Sequence, residues 1–196
     1  MKRFRLILWL AVALAAAAGL WLFARSDRPT PPPEVSFVSI GGPFTLTDGD
    51  GKSFSSRQLA GKPYALFFGF TNCPDVCPTT LARLVRLRRQ LGAGDGAFDI
   101  LFVTVDPERD RPADLKRYLS LYGAPIIGLT GNPAQIARVK KTFGIFSAKV
   151  QQPGGGYSVD HSAAVLLFGK DGGFGGTIAP DEGDAPALGK LKRLIV

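Results

Sequence analysis

Two cysteines and one histidine are the residues of this chain best suited to chemistry, and Cys73, Cys77 and His161 are its whole supply of those types. The cysteines lie in the stretch Phe70-Thr71-Asn72-Cys73-Pro74-Asp75-Val76-Cys77-Pro78, far from His161 along the chain. Thiolate sulfur and imidazole nitrogen suit copper or zinc far better than magnesium or calcium. A structural zinc site normally takes four protein ligands, and only three strong candidates exist here. The same residues also allow plainer roles. A cysteine pair four apart can close a small disulfide, and a lone histidine can pack in a core or face solvent. Metal binding and disulfide formation exclude each other, because both consume the same two sulfurs.

The elements around the motif suit such chemistry. Tyr64–Phe70 is a nearly continuous apolar run, as in a strand buried on both faces. The cysteines follow it directly, and Pro78-Thr79-Thr80 opens a helix through Leu91, with Leu81, Leu84, Val85, Leu87 and Leu91 on its apolar face and Arg83, Arg86 and Arg89 turned to solvent. Pro78 disfavours a helical conformation at Cys77, which places both cysteines on a turn before the helix. A helix N-terminus there favours the thiolate over the thiol.

The rest of the chain alternates. Phe44–Thr47 and Lys52–Phe54 flank Asp48-Gly49-Asp50-Gly51 as a hairpin. Phe98–Val105 reads as a second buried strand, followed by a helix over 112–122, a short strand over 126–129, and a helix begun by Asn132-Pro133. Strands at 146–151 and 157–160 enclose the flexible tip Pro153-Gly154-Gly155-Gly156, close enough to His161 to let it move. Ala163–Phe168 is a last core strand, 174–178 turns back beside it, and a helix from Asp184 closes the chain. Strands alternating with helices indicate an α/β sheet covered by helices on both faces. In such sheets, ligand-binding groups gather beyond the carboxyl ends of the strands, where the cysteines stand.

Residues 1–25 carry the most apolar run, FRLILWLAVALAAAAGLWLFA. From Leu6 to Ala24 it would extend about 28 Å as a helix, close to a bilayer's hydrocarbon thickness. Lys2, Arg3 and Arg5 precede it, which favours a cytoplasmic N-terminus and an exported domain. An uncleaved anchor is the reading adopted; the alanines at 15–18 offer a cleavable signal sequence as the alternative. Residues 26–36 include Pro29, Pro31, Pro32 and Pro33 and read as a semi-rigid spacer of about 3 Å per residue. The formal charge of the chain is +8, but residues 26–196 carry 20 basic against 16 acidic groups. That modest excess gives no case for nucleic acid as a partner.

The segments FGFTNCPDVCPTTL, VDPERDRPADLKRYL and VDHSAAVLLF, in this order, resemble the SCO/SenC family of membrane-anchored copper-binding assembly factors for cytochrome oxidase. The resemblance covers most of residues 35–185 and includes the anchor. It implies a thioredoxin-like domain over 37–196 with an N-terminal β-hairpin extension, preceded by one transmembrane helix. It also implies one copper per chain, Cu(I) or Cu(II), held by Cys73, Cys77 and His161. The implied role is a metallochaperone for the binuclear copper site of cytochrome c oxidase. Its partners would be the copper-bearing subunit and a copper donor chaperone, and its place the inner membrane, with the soluble domain on the periplasmic side. One departure is Asn72, where many members have histidine. Thioredoxin-like enzymes put a proline before the strand equivalent to Ala163–Phe168; here Asp160-His161-Ser162 stands in that region.

Two other functions use the same residues. A thiol–disulfide oxidoreductase keeping the cysteines of the oxidase site reduced would cycle Cys73 and Cys77, although redox thioredoxins use C-x-x-C and the docking proline. A peroxiredoxin-type peroxidase would need a threonine three residues before its cysteine, and Phe70 and Pro74 stand there instead. Asp75 and Asp160, beside the candidate ligands, could add an oxygen for Cu(II), a harder ion than Cu(I). The run Asp106-Pro107-Glu108-Arg109-Asp110 tunes the site, faces a partner, or simply pairs charges with Asp110 capping the next helix.

Overall fold

Tyr64–Gly69 (β3) is buried along its whole length because alternate side chains enter different apolar layers. Leu66 and Phe68 join one buried cluster, while Ala65 and Phe67 join another on the opposite face. Asp99–Thr104 (β4) repeats the pattern, with Leu101 and Val103 on the first side and Ile100 and Phe102 on the second. In this computed structural model, residues 2–26 and 40–196 are described. The chain divides into two units, Met1–Val38 and Ser39–Val196.

In the second unit, Thr45–Asp48 (β1), Ser53–Ser55 (β2), β3, β4, Ile127–Thr130 (β5), Val165–Phe168 (β8) and Phe174–Ile178 (β9) make one sheet in the order β2-β1-β5-β4-β3-β8-β9. β3, β4 and β5 run parallel, and β1 and β8 add antiparallel on either side. The β1–β2 hairpin extends the β5 edge, and the whole is thioredoxin-like. One face is covered by Val76–Gln90 (α2), Pro112–Ser120 (α3) and Asp184–Ile195 (α5), through Leu81, Leu84, Leu115, Leu119, Ala187 and Leu191. The other face is covered by Ile136 and Val139 of Pro133–Thr142 (α4), with Phe143 beyond it.

Ser147–Gln151 (β6) and Tyr157–His161 (β7) stand apart as a two-stranded antiparallel ribbon outside the main sheet. Its attachment is through side chains: Val159 is buried in the α4-side cluster, and Tyr157 packs against it. Gly154, Gly155 and Gly156 all adopt positive φ at the ribbon's tip, a conformation that glycine takes without cost. The tip adjoins the Gln151–Tyr157 pair, whereas His161 pairs with Ser147 at the other end. The expected nearness of the glycines to His161 is therefore corrected: four residues of extended strand, about 13 Å, separate them.

The first unit contains Lys2–Ser26 (α1), and Arg3–Phe23 within it is long and apolar enough to cross a membrane. Its residues 3–23 are exposed, as a helix meant for lipid would be. Apart from Ser26, which ends α1, the proline-rich spacer lies outside the described residues.

Candidate metal centre

The cysteine loop leaves β3 at Gly69, and Phe70 turns it, accepting a backbone hydrogen bond from Cys73 at 3.2 Å. α2 starts at Val76, so Cys77 belongs to the first helical turn and only Cys73 lies on the preceding loop. This corrects the placement expected from Pro78. In the first turn a proline loses no intrahelical hydrogen bond, since those N–H groups have no helical partner. The Cys77 N–H donates to Cys73 Sγ instead, at 3.4 Å. Both cysteines are free; Cys73 is half-buried and Cys77 fully buried.

Gly69 makes room for the second sulfur. A Cβ at that position would stand 2.7 Å from Cys77 Sγ and 2.7 Å from Phe102 Cε2. Any larger residue would push the sulfur or the ring aside. The role is invisible in a strand pattern, where Gly69 looks like one more small residue.

His161 arrives from the end of β7. Its Nδ1 lies 3.0 Å from the Ser162 carbonyl oxygen. A carbonyl only accepts, so Nδ1 carries the proton and the neutral ring keeps its lone pair on Nε2. That nitrogen is 3.6 Å from Cys77 Sγ. The rings of Phe67 and Phe70 meet the imidazole edge to face, at centroid distances of 6.2 and 5.8 Å. The candidate ligand atoms of Cys73, Cys77 and His161 all lie within 4.8 Å of one another. Burial pushes the Cys77 thiol well above its ordinary pKa. That desolvation opposes the thiolate which the helix N-terminus is expected to favour. Asp75 and Asp160 are exposed and stand outside this group.

Behind the loop lies a polar network that charge patterning alone does not reveal. Asp110, 1% exposed, accepts from the Thr71 N–H at 3.0 Å, the Thr71 hydroxyl at 2.6 Å and the Thr104 hydroxyl at 2.6 Å. It does not cap α3, whose N-cap is Arg111. Its carboxylate instead ties the cysteine loop to the end of β4, and burial pushes its pKa up against the pull of those donors. The expected charge pairing does occur, between Arg109 and the buried Asp106. On α2, Arg83 and Arg86 both pair with Asp184, and Arg83 also bonds the Glu182 carbonyl. Arg83 is therefore a fastening to α5 rather than a solvated side chain.

A thioredoxin-like domain with a thiol–thiol–imidazole cluster at the strand–helix junction defines a class of soft-metal or redox proteins. Residues 34–196 match the SCO1/SenC family, and the chain belongs to it. A SCO2-like protein of Rickettsia prowazekii is 39% identical over 137 residues, covering 69% of this chain and 67% of that protein. The chain spans 67% of that relative's length and as little as 43% of another curated relative, a mitochondrial SCO1 homologue of Arabidopsis thaliana. The structure of Bradyrhizobium japonicum ScoI with copper bound has a TM-score of 0.72 and 41% identity, covering 80% of this chain and 99% of that one. BsSco, described with a disulfide switch and as a member of the Sco family of cytochrome c oxidase assembly proteins, has a TM-score of 0.63 and 28% identity, covering 81% and 95%.

Proposed function

We infer that the chain is a copper metallochaperone that binds one copper through Cys73, Cys77 and His161. It delivers that ion to the binuclear copper site of cytochrome c oxidase. The observation that carries the reading is the convergence of the three ligand atoms within 4.8 Å. Two sulfurs and one imidazole hold Cu(I) in three-coordinate geometry, and an added oxygen ligand accommodates Cu(II). The copper-bound ScoI relative supports the choice of metal. Half-exposure of Cys73 gives a partner's thiol a place to begin ligand exchange, while buried Cys77 holds the ion until the exchange completes. Residues 1–25 anchor the domain in the inner membrane, and residues 26–36 hold it on the periplasmic side. It takes copper from a donor chaperone and meets the copper-bearing oxidase subunit there.

A second reading rests on the two free thiols, whose sulfurs lie within 4.8 Å of each other. Both could pass two electrons and two protons to a disulfide in the oxidase site, becoming a disulfide as that one becomes two thiols. Complementation of a deletion strain separates the two. Oxidase copper content should be restored by the wild-type chain and not by Cys73→Ser, Cys77→Ser or His161→Ala. Full restoration by His161→Ala would contradict copper delivery and leave the reductase.

A further inference from the structure

The ribbon that carries His161 has no backbone ladder to the main sheet, and an isolated two-stranded hairpin is at best marginally stable. Something else must hold the imidazole at the cysteines. Tyr157, Val159 and His161 alternate along β7, so all three face the domain. Val159 is buried in the core midway along the strand, and the far end is gripped at Tyr157.

The grip is Arg109. Its guanidinium lies 3.9 Å from the centroid of the Tyr157 ring and donates to the Tyr157 carbonyl at 2.9 Å. Buried Asp106 pairs with the guanidinium and also accepts from the Tyr157 hydroxyl at 2.9 Å. The same guanidinium sits 5.7 Å from the centroid of Phe70, the ring that meets His161 edge to face. Arg109 therefore touches both routes to the histidine, the strand that carries it and the aromatic wall against which it rests. A planar, permanently charged fork suits this position, and an ammonium cannot stack and bond in the same way.

We propose that Arg109 is a positioning residue for His161, a latch that binds the β6–β7 ribbon to the Asp106–Asp110 loop and so sets the imidazole against Cys73 and Cys77. The proposal rests on the copper-binding reading for its purpose, but its geometry is tested without metal. His161 is the only histidine in the chain, so its ring protons give unassisted, unique NMR signals. The full-length chain in detergent, reduced and metal-free, is compared with Arg109→Lys and Arg109→Met. The wild type should show magnetisation transfer between the Phe70 and His161 rings. Both variants should lose most of it, while methyl signals from β3 and β4 stay in place. Should Arg109→Met fail to fold, Arg109→Lys alone decides, since its charge still faces Asp106. With copper added, the variants should bind one equivalent roughly 10- to 100-fold more weakly, the usual effect of removing an outer support of a metal ligand. Unchanged ring-to-ring transfer in Arg109→Lys, or shifts spread over the whole sheet, would overturn the latch. A wild-type chain that takes up no copper would overturn the metallochaperone instead, and leave the ring comparison to judge Arg109.

Discussion

Cys73 and Cys77 hang from a strand hydrogen-bonded along both edges, whereas His161 ends a ribbon that shares no ladder with that sheet. The cysteine side is fixed by backbone pairing, by the space left at Gly69 and by the Asp110 ties to Thr71 and Thr104. The histidine side is fixed by ring contacts and by a charged stack on Tyr157. Under the proposed copper-delivery role, this asymmetry would leave Cys73 and Cys77 where the backbone puts them and His161 held by side-chain contacts alone.

The largest effect should come from the rigid side. Cys77→Ser should weaken copper binding by more than the roughly 10- to 100-fold expected of an outer-shell change, measured by competition with a chelator. Next in size is the space behind that sulfur. Gly69→Ala should cost about 1–3 kcal/mol of unfolding free energy, because the new methyl overlaps Cys77 Sγ and Phe102, and chemical denaturation would show it. Asp110→Ala should cost a similar amount, roughly 1–3 kcal/mol, by stranding the donors of Thr71 and Thr104.

The pH dependence sharpens the same point. The folded-state pKa of Asp110 is raised above the ordinary 3.8 by burial. Its contribution to stability is therefore present below that value and is lost as pH rises through the folded pKa. Denaturation midpoints measured from pH 4 upward should accordingly show Asp110→Asn gaining on the wild type. Smallest of all should be Glu108→Ala. Its pair with Lys149 on the ribbon is exposed on both sides, 58% and 45%, so the change should be within about 1 kcal/mol and His161 should stay put. An effect as large as that of Arg109→Lys would show that the ribbon's hold is spread over surface charge rather than concentrated at Tyr157.

Much of the frame was legible. The apolar runs 64–70, 98–105 and 163–168 became β3, β4 and β8, because strands buried on two faces admit no polar alternation. The cysteine motif announced its own chemistry by residue type. The start of α2 departs from the local rule, since the discouragement that proline places on a helical predecessor yields where the chain enters its first turn. The short 3₁₀ turn over Ser56–Leu59 left no pattern to find. Arg109 and Asp110 looked like loop charges because their partners, Tyr157 and Thr71, are 48 and 39 residues away. No local spacing encodes such a pairing. It follows only from the sheet order that brings the ends of β3 and β4 under the ribbon.

X-ray absorption at the copper edge of the reduced, copper-loaded full-length chain tests the central claim most directly. Two sulfur neighbours and one imidazole nitrogen are expected in the wild type, with the nitrogen contribution lost in His161→Ala. A copper environment indifferent to that substitution would contradict the shared three-ligand site.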